Sequence, residues 1–200
     1  VTNNISAILL AAGESRRTGR QHKLLLEYNE KPLVRHVAEE LLASNISECI
    51  VVIGCQAKRV KEALTDLPVR FIENSGFYSG MTSSIQEGVQ NLQPKTEAFM
   101  VCLSDMPLLK AMHYNALIKK FESLFLENEA PILRPTYKES FGHPVLFHHS
   151  YKDEILACKN QKGCQEVLSK NRSFVTNYAL ANKAYYTDID TIEDYYRLRE

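Results

Sequence analysis

The chain has no surplus of charge of either sign: lysine plus arginine number 24, and so do aspartate plus glutamate. That balance excludes the broad basic footprint of a general nucleic-acid binder, so any anion site has to be local. No apolar stretch approaches the roughly 20 residues of a membrane span. The opening segment VTNNISAILLAAG lacks the basic start, apolar run and small-residue cleavage site of a leader. A cytoplasmic protein with no membrane or nucleic-acid partner is expected. The five cysteines, Cys49, Cys55, Cys102, Cys158 and Cys164, are odd in number and lack zinc-type spacing. Five residues separate Cys158 from Cys164, which fits neither CxxC chemistry nor a common metal knuckle, so reduced thiols are expected. Repeats, low-complexity tracts and an interdomain linker are also missing.

What is present is enough apolar material for one core: 200 residues at 44% hydrophobic content suit a single domain over residues 1–200. Apolar runs bounded by turn residues alternate with helical patterns. ISAILLAAG reads as a strand, PLVRHVAEELLAS as a helix opened by Pro32, ECIVVIG as a strand and QAKRVKEALTDL as a helix. VRFIEN and MTSSIQEGVQNL repeat the step. EAFMVCLSD is almost wholly apolar and ends in an acid, as a central strand buried on both faces would, with Asp105 at its carboxyl end. HYNALIKKFESLFLEN continues as a helix, followed by strands APILRP and HPVLFH and short helices SYKDEILA and GCQEVLSK. SFVTNY and KAYYTDI are weaker strand candidates, and TIEDYYRLRE closes as a helix capped by Thr191. The alternation predicts an α/β three-layer sandwich with a mainly parallel, Rossmann-like sheet and ligands at the strands' carboxyl ends.

The segment LAAGESRRTGRQHKLLL leaves the first strand, turns through Ala11, Ala12 and Gly13, then presents Arg16, Arg17, Arg20 and Lys23. Small residues let backbone N–H groups approach phosphate oxygens while the cations neutralise their charge, so a polyphosphate suits this loop better than an ordinary solvated turn. Its spacing is neither GxGxxG nor GxxxxGK[ST], which excludes the dinucleotide-binding and P-loop patterns.

The same segment resembles the LAAGxSxRxG and KLLL signature of the molybdenum cofactor cytidylyltransferase-like nucleotidyltransferases. That wider group includes sugar-phosphate and methylerythritol-phosphate members. SGMTSSIQEGV, LSDMPLL, FGHPVLF and DIDTIEDY resemble the later blocks of that family, in its order. The resemblance implies a GT-A type nucleotidyltransferase domain. It implies Arg16 and Lys23 as catalytic cations on the phosphates, and Leu10, Ala11, Ala12, Gly13, Gly80 and Ser84 as nucleotide-binding residues. Asp105 and Asp190 would be the Mg²⁺ ligands, with His143 toward the acceptor. Read from the residues alone, Asp105 would equally cap a helix starting near Pro107, and Asp190 the last helix, in competition with Thr191. Ser83 and Ser84 would equally be helix-start residues, and His143 a satisfied loop histidine. Asp188 and Asp190 would share a face in a strand, whereas in a turn only one would reach a metal.

The implied reaction moves a nucleoside monophosphate from an NTP to a phosphorylated acceptor and releases pyrophosphate. Ala12 matches the LAAG of the cytidylyl branch, which favours CTP. The Gly19 to Lys23 spacing resembles the guanylyl branch, so GTP and ATP stay open. The acceptor implied is molybdopterin, with a sugar or polyol phosphate as the alternative. A non-catalytic nucleotide-binding accessory protein is a second reading. A DxD-dependent glycosyltransferase is the weakest, because that place reads SDM.

Overall fold

In the computed structural model, residues 4–15, 22–125, 129–138 and 140–198 are described. The first apolar run forms strand β1, Ile5–Ala11. A 3-10 turn at Lys23–Leu25 and a two-residue hairpin, β2 Glu27–Tyr28 with β3 Lys31–Pro32, lead into helix α1, Leu33–Leu42. Asn29 and Glu30 turn that hairpin with positive φ, the geometry of a tight two-residue connection. Strand β4 (Glu48–Ile53), helix α2 (Ala57–Ala63), strand β5 (Arg70–Glu73) and helix α3 (Met81–Gln90) follow, then strand β6 (Ala98–Leu103) and helix α4 (Ala111–Leu124). The second half comprises β7 (Ile132–Tyr137), β8 (Ser140–Phe141), β9 (Val145–His148), α5 (Lys152–Leu156), α6 (Gln165–Lys170), β10 (Val175–Ala179) and α7 (Ile192–Leu198).

The sheet runs β10-β7-β9-β6-β1-β4-β5, with β8 on β7. β1 pairs in parallel with both β4 and β6, β4 with β5, and β10 with β7, whereas β9 runs antiparallel between β6 and β7. The sheet is therefore mixed and mostly parallel, the α/β architecture that the alternation predicts. Alternation along β1 builds the layers: Ile5, Ala7, Leu9 and Ala11 enter one core with α1 and α4, while Ile8 joins Ile85 and Val89 of α3 in the other. Each fully buried aliphatic side chain of this kind contributes about 1.5–3 kcal/mol, so the strand ends that carry the functional groups stand on a firm base.

Three departures from the sequence reading have local causes. KAYYTDI is not a strand: Lys183–Tyr185 is a 3-10 turn, with the Asn182 side chain accepting from Ala184 N–H at 2.9 Å and Tyr185 OH donating to His113 O at 3.0 Å. Helix α2 is shorter than its twelve-residue pattern, because Leu64 leaves helical geometry with φ of −122°. No helix begins near Pro107, since α4 starts at Ala111 behind a turn.

The chain order places a crevice. After β1, strands β4 and β5 extend the sheet to one side, and the chain then returns to lay β6 on the other side of β1. That reversal leaves a switch point at the carboxyl ends of β1 and β6, where open α/β sheets bind ligands. Gly88 draws α3 against it: a Cβ there would lie 2.3 Å from Ile8 Cγ2, so only glycine lets the helix ride this close to β1. No helix among the described residues is long and apolar enough to cross a membrane.

Candidate active site

A cavity of about 540 Å³ opens at this switch point. Its floor is Leu10 near the end of β1 with Ala12 and Gly13 just beyond it; Leu103, Ser104 and Asp105 close one side, and Gly80, Met81 and Ser84 the other. Phe77 and Tyr78 form a rim, and Lys23, Asp188 and Asp190 complete the wall. The volume lies within the range of small-molecule sites, roughly 300–1,000 Å³. Of the expected residues, Leu10, Ala12, Gly13, Lys23, Gly80, Ser84, Asp105 and Asp190 meet here. Ala11 is fully buried with its side chain in the core between the sheet and α1, in register with Ile53, and Arg16 lies outside the described residues.

The acidic corner is assembled by a backbone tie. Ile189 N–H donates to Asp105 O at 2.9 Å, and the Ile189 side chain is buried with Leu26, Leu33 and Tyr195. With Ile189 anchored inward, its neighbours Asp188 and Asp190 both reach the cavity although neither is in a strand. One carboxylate oxygen from each of Asp105, Asp188 and Asp190 lies within 4.8 Å of the others. Lys23 Nζ donates to Asp105 Oδ2 at 2.6 Å and to Asp190 Oδ1 at 3.2 Å. Burial, then the charges of Asp105 and Asp190, hold the Asp188 carboxyl above its ordinary range.

The competing capping roles fall away on geometry. Thr191 Oγ1 accepts from Asp194 N–H at 3.1 Å, and Asp194 Oδ2 accepts from Thr191 N–H at 2.9 Å, a reciprocal box in which Thr191 caps α7, with Asp190 N–H also donating to Asp194 Oδ2 at 3.3 Å. Asp105 has no helix to cap, and its Oδ1 is buried with no hydrogen-bond partner among the described residues. The Ser104 hydroxyl, unnoticed in the sequence, donates to Leu10 O at 2.5 Å and clamps the ends of β6 and β1 together.

The opposite wall, Gly80, Met81 and Ser84, is neutral, with Ser84 its polar side chain. Gly80 has φ of +107°, a conformation that favours glycine, and it leads into α3 with no side-chain cap. Ser83 and Ser84 stand in the first turn of α3, as helix-start residues would, but the N-cap position is Gly80, and Ser83 bonds back to Gly80 O at 2.8 Å. Ser84 is 6% exposed and faces the cavity. Gly54, also unread in the sequence, is pinned by space: a Cβ would lie 2.8 Å from Phe77 Cβ and 2.9 Å from Ala12 Cβ. Gly13 meets nothing within 4 Å, so its role is open space beside the loop backbone and not a special conformation.

His143 does not line the cavity, although its ring feels the charge of Asp105. Its N–H donates to Tyr185 O at 3.0 Å, and its Nδ1 is buried without a hydrogen-bond partner among the described residues. Burial lowers its pKa against the raising influence of Asp105, so the ring favours its neutral form. His22, 4% exposed behind the loop, is likewise held below its ordinary pKa, chiefly by burial.

Among the described residues the cavity gathers Glu14, Asp105, Asp188 and Asp190 against the single cation Lys23.

The sequence model of the MobA-like NTP transferase domain matches residues 7–175. The chain belongs to that family. A full-length relative of this MobA-like chain is the nicotine blue oxidoreductase of Paenarthrobacter nicotinovorans, 27% identical over 97% of this chain and 96% of that protein. The bifunctional protein GlmU of Synechococcus sp. (strain JA-3-3Ab) is 24% identical over 84% of this chain, which spans only 27% of its length. Among solved structures, Rv0371c of Mycobacterium tuberculosis H37Rv has a TM-score of 0.84 at 22% identity, covering 99% of this chain and 98% of that one. A manganese complex of Rv0371c matches at 0.79 and 20% identity, with 98% of each chain covered. The nucleotidyl transferase Mth528 of Methanothermobacter thermautotroptrophicus reaches 0.84 at 21% identity, covering 98% and 96%. At these identities the structures share the MobA-like fold, and the chemistry has to be argued from the site.

Proposed function

We propose that this MobA-like chain transfers a nucleoside monophosphate from an NTP, with CTP the favoured donor, to a phosphorylated acceptor and releases pyrophosphate. Molybdopterin is the first acceptor to test, followed by sugar and polyol phosphates. The observation that carries the reading is the corner where Lys23 and three carboxylates from residues 105 and 188–190 meet at the switch point of the sheet. A divalent cation fits these residues: the donors are hard carboxylate oxygens gathered within 4.8 Å, and one buried oxygen of Asp105 has no hydrogen-bond partner among the described residues. Asp105, with Asp190 and Asp188, would hold it, Mg²⁺ being the expected ion, and it would supply charge neutralisation for the phosphates.

The chain's own groups supply the remainder. The open floor at Ala12 and Gly13 lets backbone N–H groups face phosphate oxygens. Lys23 brings the described cation that balances charge on the α-phosphate and the departing pyrophosphate, and we assign Arg16 the same task. Phe77 and Tyr78 offer faces beside the nucleobase, with Ser84 at its edge. An acceptor phosphate oxygen bonds to the α-phosphorus as the bond to the β-phosphate oxygen breaks. That acceptor is already ionised near neutral pH, so positioning and electrostatics suffice without a protein base. We keep His143 as the acceptor-side residue that the resemblance implies, although it does not line the cavity. All five cysteines are free thiols, which suits a reducing cytoplasm.

Pyrophosphate release, measured with CTP, GTP, ATP and UTP against the three acceptor classes, tests the proposal. Release with one donor and acceptor pair, lost in Asp105→Asn, is expected. Nucleotide binding without release for any acceptor would favour an accessory protein. The full-length likeness to a protein named an oxidoreductase makes the acidic corner, and not the fold, the basis of this reading.

A further inference from the structure

Behind the neutral wall lies Asn74, 2% exposed and just beyond β5. Its backbone N–H donates to Ile53 O at 2.8 Å, fixing it to the end of β4. Its side chain has only one chemically sensible orientation. Gly76 N–H, which can only donate, lies 2.9 Å from Asn74 Oδ1, so the amide oxygen must face Gly76 and the amide nitrogen must face α3. There Nδ2 donates to Ser83 Oγ at 2.9 Å and to Ser84 Oγ at 3.0 Å.

The two serines then diverge. Ser83 passes its proton to Gly80 O at 2.8 Å, with Gly76 O a second acceptor at 3.2 Å. Ser84 Oγ accepts from Asn74, and its own proton has no acceptor among the described residues, while the side chain faces the cavity. A backbone amide thus sets the polarity of a side-chain amide, which sets the polarity of a hydroxyl on the wall.

We propose that Asn74 is a positioning residue that fixes the Ser84 hydroxyl as a hydrogen-bond donor into the cavity, so that the site reads a carbonyl oxygen on the nucleobase. The inference rests on the nucleotide reading above and adds the chemical class of base. Cytosine, uracil and guanine carry an exocyclic carbonyl; adenine carries an amino group and none. A base that places a carbonyl oxygen against Ser84 is therefore favoured over adenine, whose acceptors are ring nitrogens.

Asn74→Asp keeps the shape and reverses the polarity. Both carboxylate oxygens accept, so Ser84 must turn its proton toward residue 74 and can then only accept from a ligand. Calorimetric titration of CTP and ATP, each with Mg²⁺, reads the result as a ratio of affinities. The added negative charge or a loosened fold would weaken both nucleotides alike and leave that ratio unmoved. The wild-type protein is expected to prefer CTP, and Asn74→Asp to reduce the preference by roughly three- to tenfold, the worth of one hydrogen bond. Ser84→Ala, which leaves Asn74 bonded to Ser83 and Gly76, should reduce it by a similar factor, and the double variant no further. A wild-type ratio in folded Asn74→Asp and Ser84→Ala, or equal losses for both nucleotides, would overturn the polarity assignment alone. No binding of either nucleotide to the wild-type protein would overturn it together with the proposed function.

Discussion

The two walls of the cavity are built differently. The acidic corner joins residues far apart in sequence, Lys23, Asp105 and Asp188 to Asp190, through one backbone hydrogen bond and one buried isoleucine. The serine wall is local: Asn74, Gly76 and Gly80 lie in the β5-to-α3 connection, and Ser83 and Ser84 in the first turn of α3. One wall concentrates charge where bonds break, and the other is neutral and directional. Substitutions in the corner should therefore act on turnover, whereas those in the serine wall should act on nucleotide affinity and choice.

The largest effect is expected from Asp105→Asn. Turnover, followed by pyrophosphate release, should fall by at least about 10²–10³-fold, as when one preorganised electrostatic group is lost from a site. Circular dichroism should show an intact fold, because Asp105 caps no helix. Lys23→Met should come next, with a loss of about 10²-fold in turnover. In the same variant, Mn²⁺ binding to the protein alone, read by electron paramagnetic resonance, should tighten, since the ammonium no longer holds Asp105 and Asp190. Weaker Mn²⁺ binding in Lys23→Met would break the proposed link between the lysine and the metal site.

Ser84→Ala should raise KM for the favoured NTP by roughly three- to tenfold, with kcat nearly unchanged. A fall in kcat with KM unaltered would erase the difference between the walls. The smallest catalytic effect is expected at Thr191, one residue from Asp190 but committed to the α7 cap. Thr191→Ala should cost about 0.5–2 kcal/mol in chemical denaturation while activity stays near wild type. The Thr191 hydroxyl and backbone hold the Asp194 carboxyl below its ordinary range, so that stability is present above the unfolded pKa and is lost as pH falls through the lowered folded one. The pH dependence of Thr191→Ala stability should be correspondingly shallower on the acid side.

The strand and helix alternation was legible from the sequence because its apolar periods are strong, and β1, β4, β6 and the helices between them stand where the pattern puts them. The direction of β9 was not, since an apolar run of four has the same composition in either orientation. KAYYTDI misled because its aromatic residues suit a strand, yet Tyr185 is spent on a buried anchor to α4. Within the site, signature positions such as Lys23, Gly80, Ser84 and Asp105 were visible as local motifs. Asn74, Ser104 and Gly54 were not, because their meaning lies in partners that only the fold brings near. The same limit left the choice between Asp188 and Asp190 open, and the anchoring of Ile189 turns both toward the cavity.

The most direct measurement is an anomalous-diffraction map from a crystal soaked with CTP and Mn²⁺. A manganese peak within direct coordination distance of Asp105 and of Asp190 or Asp188, with the triphosphate beside Lys23, is the predicted result. A nucleotide bound elsewhere, or seated here with no metal on those carboxylates and Lys23 turned from its phosphates, would contradict it.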